Sequence, residues 1–504
     1  MKTIGNTRSS RAKLNIIVPL VCQLITLFCG LIVPQLMISS FGSEAYGATA
    51  SIAQFLAYIS LLEGGVGGVA RAALYKPLAE NNIQVISEII TEIKKFFRVI
   101  GYIFIVYVLF LACSFKYISH IQCFDWFATF LLVIVISIST FAQYFIGISY
   151  ATLIQASQRT YITSIISIST TILNTILIVI LVNLGSNLIF VKLVSSCIFV
   201  LRPILMWLYV KNKYRLVECK NRTKNYLNQK WAGLGQHIAY FLYSNTDIAV
   251  LTVFSNLKVV AVYSVYYMVV SQLENLTASF SSGMEAVFGD MIAKNEIDKL
   301  HKTFGYYETM ISIIATILFS TASVLIIPFV RLYTSGINDV NYIQPIFSLL
   351  LLLASYVTCV RKPYHNMTIA AGHFRETQIG AYGEAIINII LSIILVIKFG
   401  MIGVAVGTFT ATVFRLVYYV IYLSNNIFNR KIKLFIKRTI VNVLNLVLIY
   451  LLGSILVNVW SFSSYYMWII CGFITALLAV IITLLFNHVF YRNDLNIIFN
   501  KYKK

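Results

Sequence analysis

NIILSIILVIKFGMIGVAVGTFTATVFR (388–415) decides the fold. It holds two apolar runs that meet at Gly400, and neither run alternates polar and apolar residues. About 20 apolar residues in helical form cross a hydrocarbon core of about 30 Å. Continuous runs of this kind exclude barrel strands, which alternate every second residue. The same text occurs earlier in the chain, with TTILNTILIVILVNLG (170–185) matching EAIINIILSIILVIKFG (384–400). Asn174 pairs with Asn388, Gly185 with Gly400 and Arg202 with Arg415, at offsets of 214, 215 and 213 residues. Further out, IQASQRT (154–160) resembles IAAGHFRET (369–377), and FGSEAYG (41–47) falls near FSNLKVVAVYS (254–264), with Tyr46 and Tyr263 separated by 217. A near-constant offset in three places reads as an internal duplication.

The rest of the chain has the same character. It has 504 residues, 59% of them hydrophobic and 11% charged, whereas a soluble domain is roughly a quarter charged. The apolar blocks predict an all-α polytopic membrane protein of about fourteen spans, near 14–39, 46–70, 96–114, 126–154, 161–183, 188–210, 231–254, 259–283, 305–333, 343–371, 378–397, 402–424, 435–457 and 464–490. The basic N-terminus resembles a signal peptide, but its apolar stretch is too long for an h-region and has no clear cleavage site. The duplicated unit covers six spans, an even number, so both copies have the same orientation and are related by a pseudo-twofold axis along the membrane normal. This gives an N-lobe (1–215), a C-lobe (216–429) and two additional spans (430–504), with a cavity expected between the lobes.

The net charge of +21 raises the question of nucleic acid, and its distribution answers it. With the N-terminus inside, 30 of the 39 Lys and Arg residues fall on cytoplasmic segments, five on the outer side and four within spans. Cytoplasmic loops of membrane proteins carry this excess, so the charge is topology and contact with anionic lipid heads. Both termini are expected in the cytoplasm, and no nucleic-acid partner is implied. No loop exceeds about 25 residues, which leaves no room for a soluble catalytic domain. There is no Walker A motif, no H-E-x-x-H and no usable triad, and no His pair has metal-ligand spacing. The reading is therefore a non-enzyme without cofactor or metal. No two of the eight cysteines form C-x-x-C, and they are read as small core residues. Cys113 and Cys123 flank one short outer loop without a disulfide being expected.

Three segments carry a resemblance to a known family. FGSEAYGATASIAQFLAYISLLEGGVGGVARAAL (41–74) is similar to a second span, NTDIAVLTVFSNLKVVAVYSVYYMVV with Asp247 to a seventh-to-eighth segment, and 388–415 to an eleventh-to-twelfth. In order and spacing they resemble the polysaccharide flippases of the multidrug/oligosaccharidyl-lipid/polysaccharide (MOP) exporter superfamily. One departure is SSGMEAVFGD (281–290), where relatives often carry a proline. The resemblance implies a polyprenyl-diphosphate-linked oligosaccharide as cargo, moved from the cytoplasmic to the outer leaflet of a bacterial cytoplasmic membrane by alternating access. It also implies work alongside a polysaccharide polymerase and other assembly proteins.

A charge in mid-span costs about 2.5–3.5 kcal/mol on insertion scales, so such residues face a cavity or a partner. The basic candidates for a cargo-binding cavity are Arg202, Arg361, Lys362 and Arg415, with Arg71 at the cytoplasmic end of span two. A guanidinium presents a planar fork suited to phosphate oxygens. Each has a plainer reading: Arg202 and Arg415 as snorkelling side chains, Arg361-Lys362-Pro363 as the end of a short span, and Arg71 as an anchor. Asp247 and Glu63 are candidates for cation coupling or for an ion pair, and the glycines that follow Glu63 suit close helix packing. Tyr240, Tyr243, Tyr266 and Tyr267 are candidates for stacking on sugars. The competing readings are a cation-coupled multidrug exporter of the same fold, whose cavity should be acidic, and a membrane glycan polymerase or ligase, which the short outer loops disfavour.

Overall fold

A computed structural model describes residues 8–64, 66–214, 216–217, 234–281, 283–428, 430–460 and 464–491. All regular structure among them is helical. In chain order the helices are α1 (Arg8–Phe41), α2 (Ser43–Ala57) running on as a 3₁₀ turn (Tyr58–Glu63), α3 (Val66–Ala79), α4 (Ile83–Ser119), α5 (Trp126–Ala142), a π-helical segment (Gln143–Gly147), α6 (Ile148–Ala156), α7 (Thr160–Asn183) and α8 (Leu188–Tyr214). Then come α9 (Leu234–Phe254), α10 (Leu257–Ser281), α11 (Met284–Ala293), α12 (Ile297–Tyr333), α13 (Pro345–Val360), α14 (Lys362–Ala370), α15 (Phe374–Phe399), α16 (Met401–Asn426), α17 (Lys433–Val459) and α18 (Tyr465–Phe490). Among the described residues, 12 helical stretches are long and apolar enough to cross a membrane. Two more helices, α9 and α10, stand where the seventh and eighth spans are expected. The chain is a multi-pass membrane protein.

The duplication appears as a repeated order of helices and breaks. The partners α4 and α12 are both 37 residues long. At 1.5 Å per residue each measures about 55 Å, more than the hydrocarbon needs, so each extends beyond it. Span four is interrupted at Gln143–Gly147, and span ten at Arg361, where α13 gives way to α14. Tyr144 and Arg361 are 217 residues apart, the offset of Tyr46 and Tyr263. Short helices α3 and α11 follow the second span of each copy.

Local chemistry sets the breaks. The 3₁₀ turn ends at Gly64, at φ 55°, so span two stops at Glu63 and does not run on to residue 70. The expected helix end without proline is made by Gly283, at φ 84°, a conformation that glycine adopts without the Cβ clash. Asn82 and Asp125 cap α4 and α5 by accepting from Val85 N (3.1 Å) and Ala128 N (2.8 Å).

Contacts divide the chain into two compact units, residues 1–241 with 256–261 and residues 242–255 with 262–504. In the first, Ile89, Ile93, Phe97, Phe104, Leu132 and Leu153 form the centre of a core built largely on α4. Here α1 packs on α7, and the Asn15 amide donates to Gln158 O (2.9 Å) and accepts from Tyr161 N (3.0 Å). In the second, α15 and α16 pack closely because α16 presents glycines. A Cβ on Gly407 would come within 2.8 Å of the Ser392 backbone nitrogen. The added helices α17 and α18 pack on α12. There Asn442 donates to Ser312 Oγ (2.6 Å) and the Trp468 indole to Leu325 O (3.1 Å).

Candidate functional site

The first unit contains a cavity of about 520 Å³, lined among others by Glu63, Arg71, Gln143, Tyr144, Gln155 and Arg202. Glu63 and Arg71, neighbours in sequence, therefore share one space with the distant Arg202. Span four forms much of its wall. Thr140, Tyr144, Ile148, Ala151 and Gln155 fall on a single face of α5, the π segment and α6. The π segment is where an i→i+5 pattern replaces i→i+4, and such bulges recur at functional sites.

The two arginines are held by neutral groups. Arg71 Nη1 donates to Gln155 Oε1 at 3.1 Å. Arg202 donates from Nε to Thr170 Oγ1 and from Nη2 to Thr171 Oγ1, both at 2.8 Å. Its guanidinium also lies 4.3 Å from the centre of the Phe199 ring. Among the described residues neither arginine is paired with a carboxylate. Glu63 is close by in the same cavity, but its carboxylate accepts from the Tyr144 hydroxyl. The wall is completed by the hydroxyl and amide groups of Ser139, Thr140, Gln143 and Thr152. Such a surface offers two cationic forks and many neutral hydrogen-bonding groups, which suits a ligand with an anionic head and a hydroxylated body.

The basic candidates of the second unit are arranged differently. Arg361 forms an ion pair with Glu384, and Arg415 Nε stands 3.8 Å from the same carboxylate. Arg415 also donates to Thr377 O (2.9 Å) and to the Tyr419 hydroxyl (2.7 Å), which lies 2.8 Å from His365 Nδ1. Both arginines are buried, at 9% and 4% exposure. Arg361 further faces the Tyr243 ring at 5.6 Å. Lys362 Nζ donates to the backbone oxygen of Glu274 at 2.8 Å. Of the tyrosines, Tyr266 is fully buried with its hydroxyl on Tyr342 O, Tyr267 stacks on Tyr263, and Tyr240 is exposed.

Asp247 is buried without a cationic partner among the described residues. Its carboxylate accepts from the Tyr263 hydroxyl (2.8 Å) and lies 2.9 and 3.0 Å from Thr408 Oγ1. Asn388 Nδ2 is 3.4 Å from that hydroxyl, and Asn388 Oδ1 accepts from Ser392. The result is a compact set of oxygen atoms from α9, α10, α15 and α16 around one negative charge.

Sequence reading singles out the charged members of both groups and misses the neutral ones. Thr170, Thr171, Gln143 and Gln155 are polar residues of otherwise apolar spans, and that interruption is the available signal.

No family model and no curated protein sequence matches the chain. Solved structures do match. A lipid II flippase, MurJ, in an inward closed conformation has a TM-score of 0.67 at 16% identity, over 95% of this chain and 99% of that one. The MATE multidrug transporter DinF-BH, solved as a complex, has a TM-score of 0.60 at 16% identity, over 86% and 100%. A MOP superfamily transporter from Pyrococcus furiosus has a TM-score of 0.55 at 14% identity, over 83% and 97%. The chain has the fold of the MOP superfamily transporters.

Proposed function

We propose that this protein is a flippase that carries a polyprenyl-diphosphate-linked oligosaccharide from the cytoplasmic to the outer leaflet by alternating access, supplying cell-surface polysaccharide synthesis. The observation that carries the reading is the pair Arg71 and Arg202, two guanidinium groups without a carboxylate partner among the described residues, in one 520 Å³ cavity. Moving a diphosphate through hydrocarbon strands its charge at great cost, and a cationic, hydrated cavity lowers that barrier. Pockets of roughly 300–1,000 Å³ hold a molecule of drug size, enough for a diphosphate with the sugar next to it, while the polyprenyl tail stays in lipid. Arg361 and Arg415 enter as secondary contacts, because Glu384 already neutralises part of their charge, and so does Lys362, whose ammonium donates to the backbone oxygen of Glu274.

Asp247 supplies the coupling site in this reading. A buried carboxylate among hydroxyl and amide oxygens accommodates a monovalent cation or a proton, either of which replaces the missing counter-charge. Glu63 is the second acidic group of the cycle, held by Tyr144 until cargo reorganises the cavity. That same carboxylate is what favours the alternative, a cation-coupled multidrug exporter, since it gives the arginine cavity one group for a cationic drug.

The test is reconstitution in liposomes with a fluorescent polyprenyl-diphosphate oligosaccharide, reading its protection from an external quencher. Wild type should move the lipid, and Arg71→Ala and Arg202→Ala should lose about tenfold or more of the rate, the scale of a lost charge-assisted contact. Movement that neither substitution affects would remove the site and leave the flippase. No movement under an imposed ion gradient, with transport of a cationic dye instead, would select the exporter.

A further inference from the structure

We propose that an anionic phospholipid of the cytoplasmic leaflet binds where α16 passes into α17, its phosphate received beside Arg430 and Lys431 and its acyl chains lying along the exposed face of α17. Five cations crowd this corner: Arg430, Lys431, Lys433, Lys437 and Arg438. Their ion pairs among the described residues involve one carboxylate, Glu308 of α12. Its Oε2 accepts from Arg430 at 2.7 Å and from Arg438 at 2.5 Å, while Oε1 accepts from the Tyr364 hydroxyl. Among the described residues Lys431, Lys433 and Lys437 form no ion pair, and Lys437 Nζ lies 5.6 Å from the centre of the Tyr491 ring.

Three surface lysines elsewhere in this protein are arranged otherwise. Lys76 pairs with Glu80, Lys294 with Asp290 and Lys299 with Glu296, each within about one helical turn. The corner instead gathers three lysines and two arginines around one carboxylate among the described residues, a local excess of positive charge. It also falls at an unfavourable place. The first turn of α17 has no acidic residue and no side-chain cap, although the partial positive charge of a helix start favours anions and disfavours Lys433. An external anion relieves both the crowding and the helix end.

The surroundings identify the anion as a lipid. A small recess is lined by Arg430, Lys431 and Ser424 together with Phe304, Phe428 and Phe435, so cations and a hydroxyl meet an aromatic floor. Interleaved with the lysines are Leu434, Ile436 and Ile440, at 50, 49 and 54% exposure. A free phosphate would use the cations and leave these side chains without purpose. A phospholipid uses both. Bound there, it would join α12, α16 and α17 through the groups that already meet at Glu308.

The full-length protein, delipidated in neutral detergent, would be examined by native mass spectrometry with phosphatidylglycerol, with phosphatidylcholine of the same chains, and with inorganic phosphate. Phosphatidylglycerol should be retained about tenfold over phosphatidylcholine, as expected for a polybasic segment facing an anionic headgroup. The triple variant K431Q/K433Q/K437Q should abolish that preference. A matched triple in another basic segment, K294Q/K299Q/K302Q, should keep it. Equal retention of the two lipids by wild type would overturn the proposal, whatever the variants do. So would equal loss in both triples, which would reduce the effect to general surface charge. Displacement of phosphatidylglycerol by millimolar inorganic phosphate would reassign the corner to a phosphate ion.

Discussion

Arg202 shows how a neutral environment keeps a charge available. Thr170 and Thr171 orient its guanidinium without cancelling it, whereas Glu384 does cancel part of Arg361 and Arg415. Arg202→Lys retains the charge and loses the planar fork. It should raise the half-saturating cargo concentration by roughly tenfold in the liposome assay, with the maximal rate reduced less than in Arg202→Ala. At the opposite end of the first unit, Glu44 accepts from the Gln122 and Cys123 backbone nitrogens at 2.6 and 3.3 Å. Partial burial and then the Glu44 carboxylate push the Cys123 thiol up to about 12. The thiolate is the reactive form, so a membrane-impermeant maleimide should label Cys123 slowly at neutral pH and faster as pH rises. Glu44→Gln should speed it at fixed pH. Labelling from outside intact cells would also check that this loop is external.

At the scale of helices, removal of one partner from a buried pair leaves the other charge buried and uncompensated. Glu384→Gln should therefore cost about 3–5 kcal/mol, read as a fall in thermal unfolding temperature in detergent. Gly407→Ala tests the α15–α16 contact. Its Cβ would meet backbone as well as the Ser392 side chain, and overpacking of this kind costs about 1–3 kcal/mol. The helices are also the most legible part of the sequence. Apolar blocks near twenty residues long announce spans by themselves, and Gly400 announces the turn between two of them. The breaks inside spans are harder. The text around Gly64 reads as apolar continuation through residue 70, because a glycine carries no hydropathy signal of a left-handed φ. Arg361-Lys362-Pro363 admits either an end or a continuation, and the structure has a one-residue turn followed by α14.

For the molecule as a whole, the repeated order of breaks and long helices extends a duplication that the sequence displays in only three places. What the sequence does not supply is which charges meet. Glu308 lies 122 and 130 residues from Arg430 and Arg438, and nothing along the chain marks such a pairing. Likewise, Arg202 and Arg415 occupy matching positions but have different companions. Orientation is a prediction of charge distribution. A reporter fused after the last helix should be active on the cytoplasmic side, and one inserted between Ser119 and Trp126 on the outer side. Coupling is a property of the whole cycle too. Asp247→Asn should make transport insensitive to an imposed cation or proton gradient while leaving passive exchange of cargo measurable.

The π-helical turn at Gln143–Gly147 sets the rotational register of the helix that follows it. Each turn of such a segment holds more residues than a turn of regular α-helix, so losing one residue should restore the ordinary winding. Deleting a single residue within 143–147 would restore regular winding and rotate everything from Ile148 to Ala156 by about 100° relative to the preceding helix. Gln155, which holds Arg71, would turn away with it. In the second unit the corresponding break, at Arg361, is a turn between α13 and α14 and not a π segment, so the same deletion there would have no regular helix to restore.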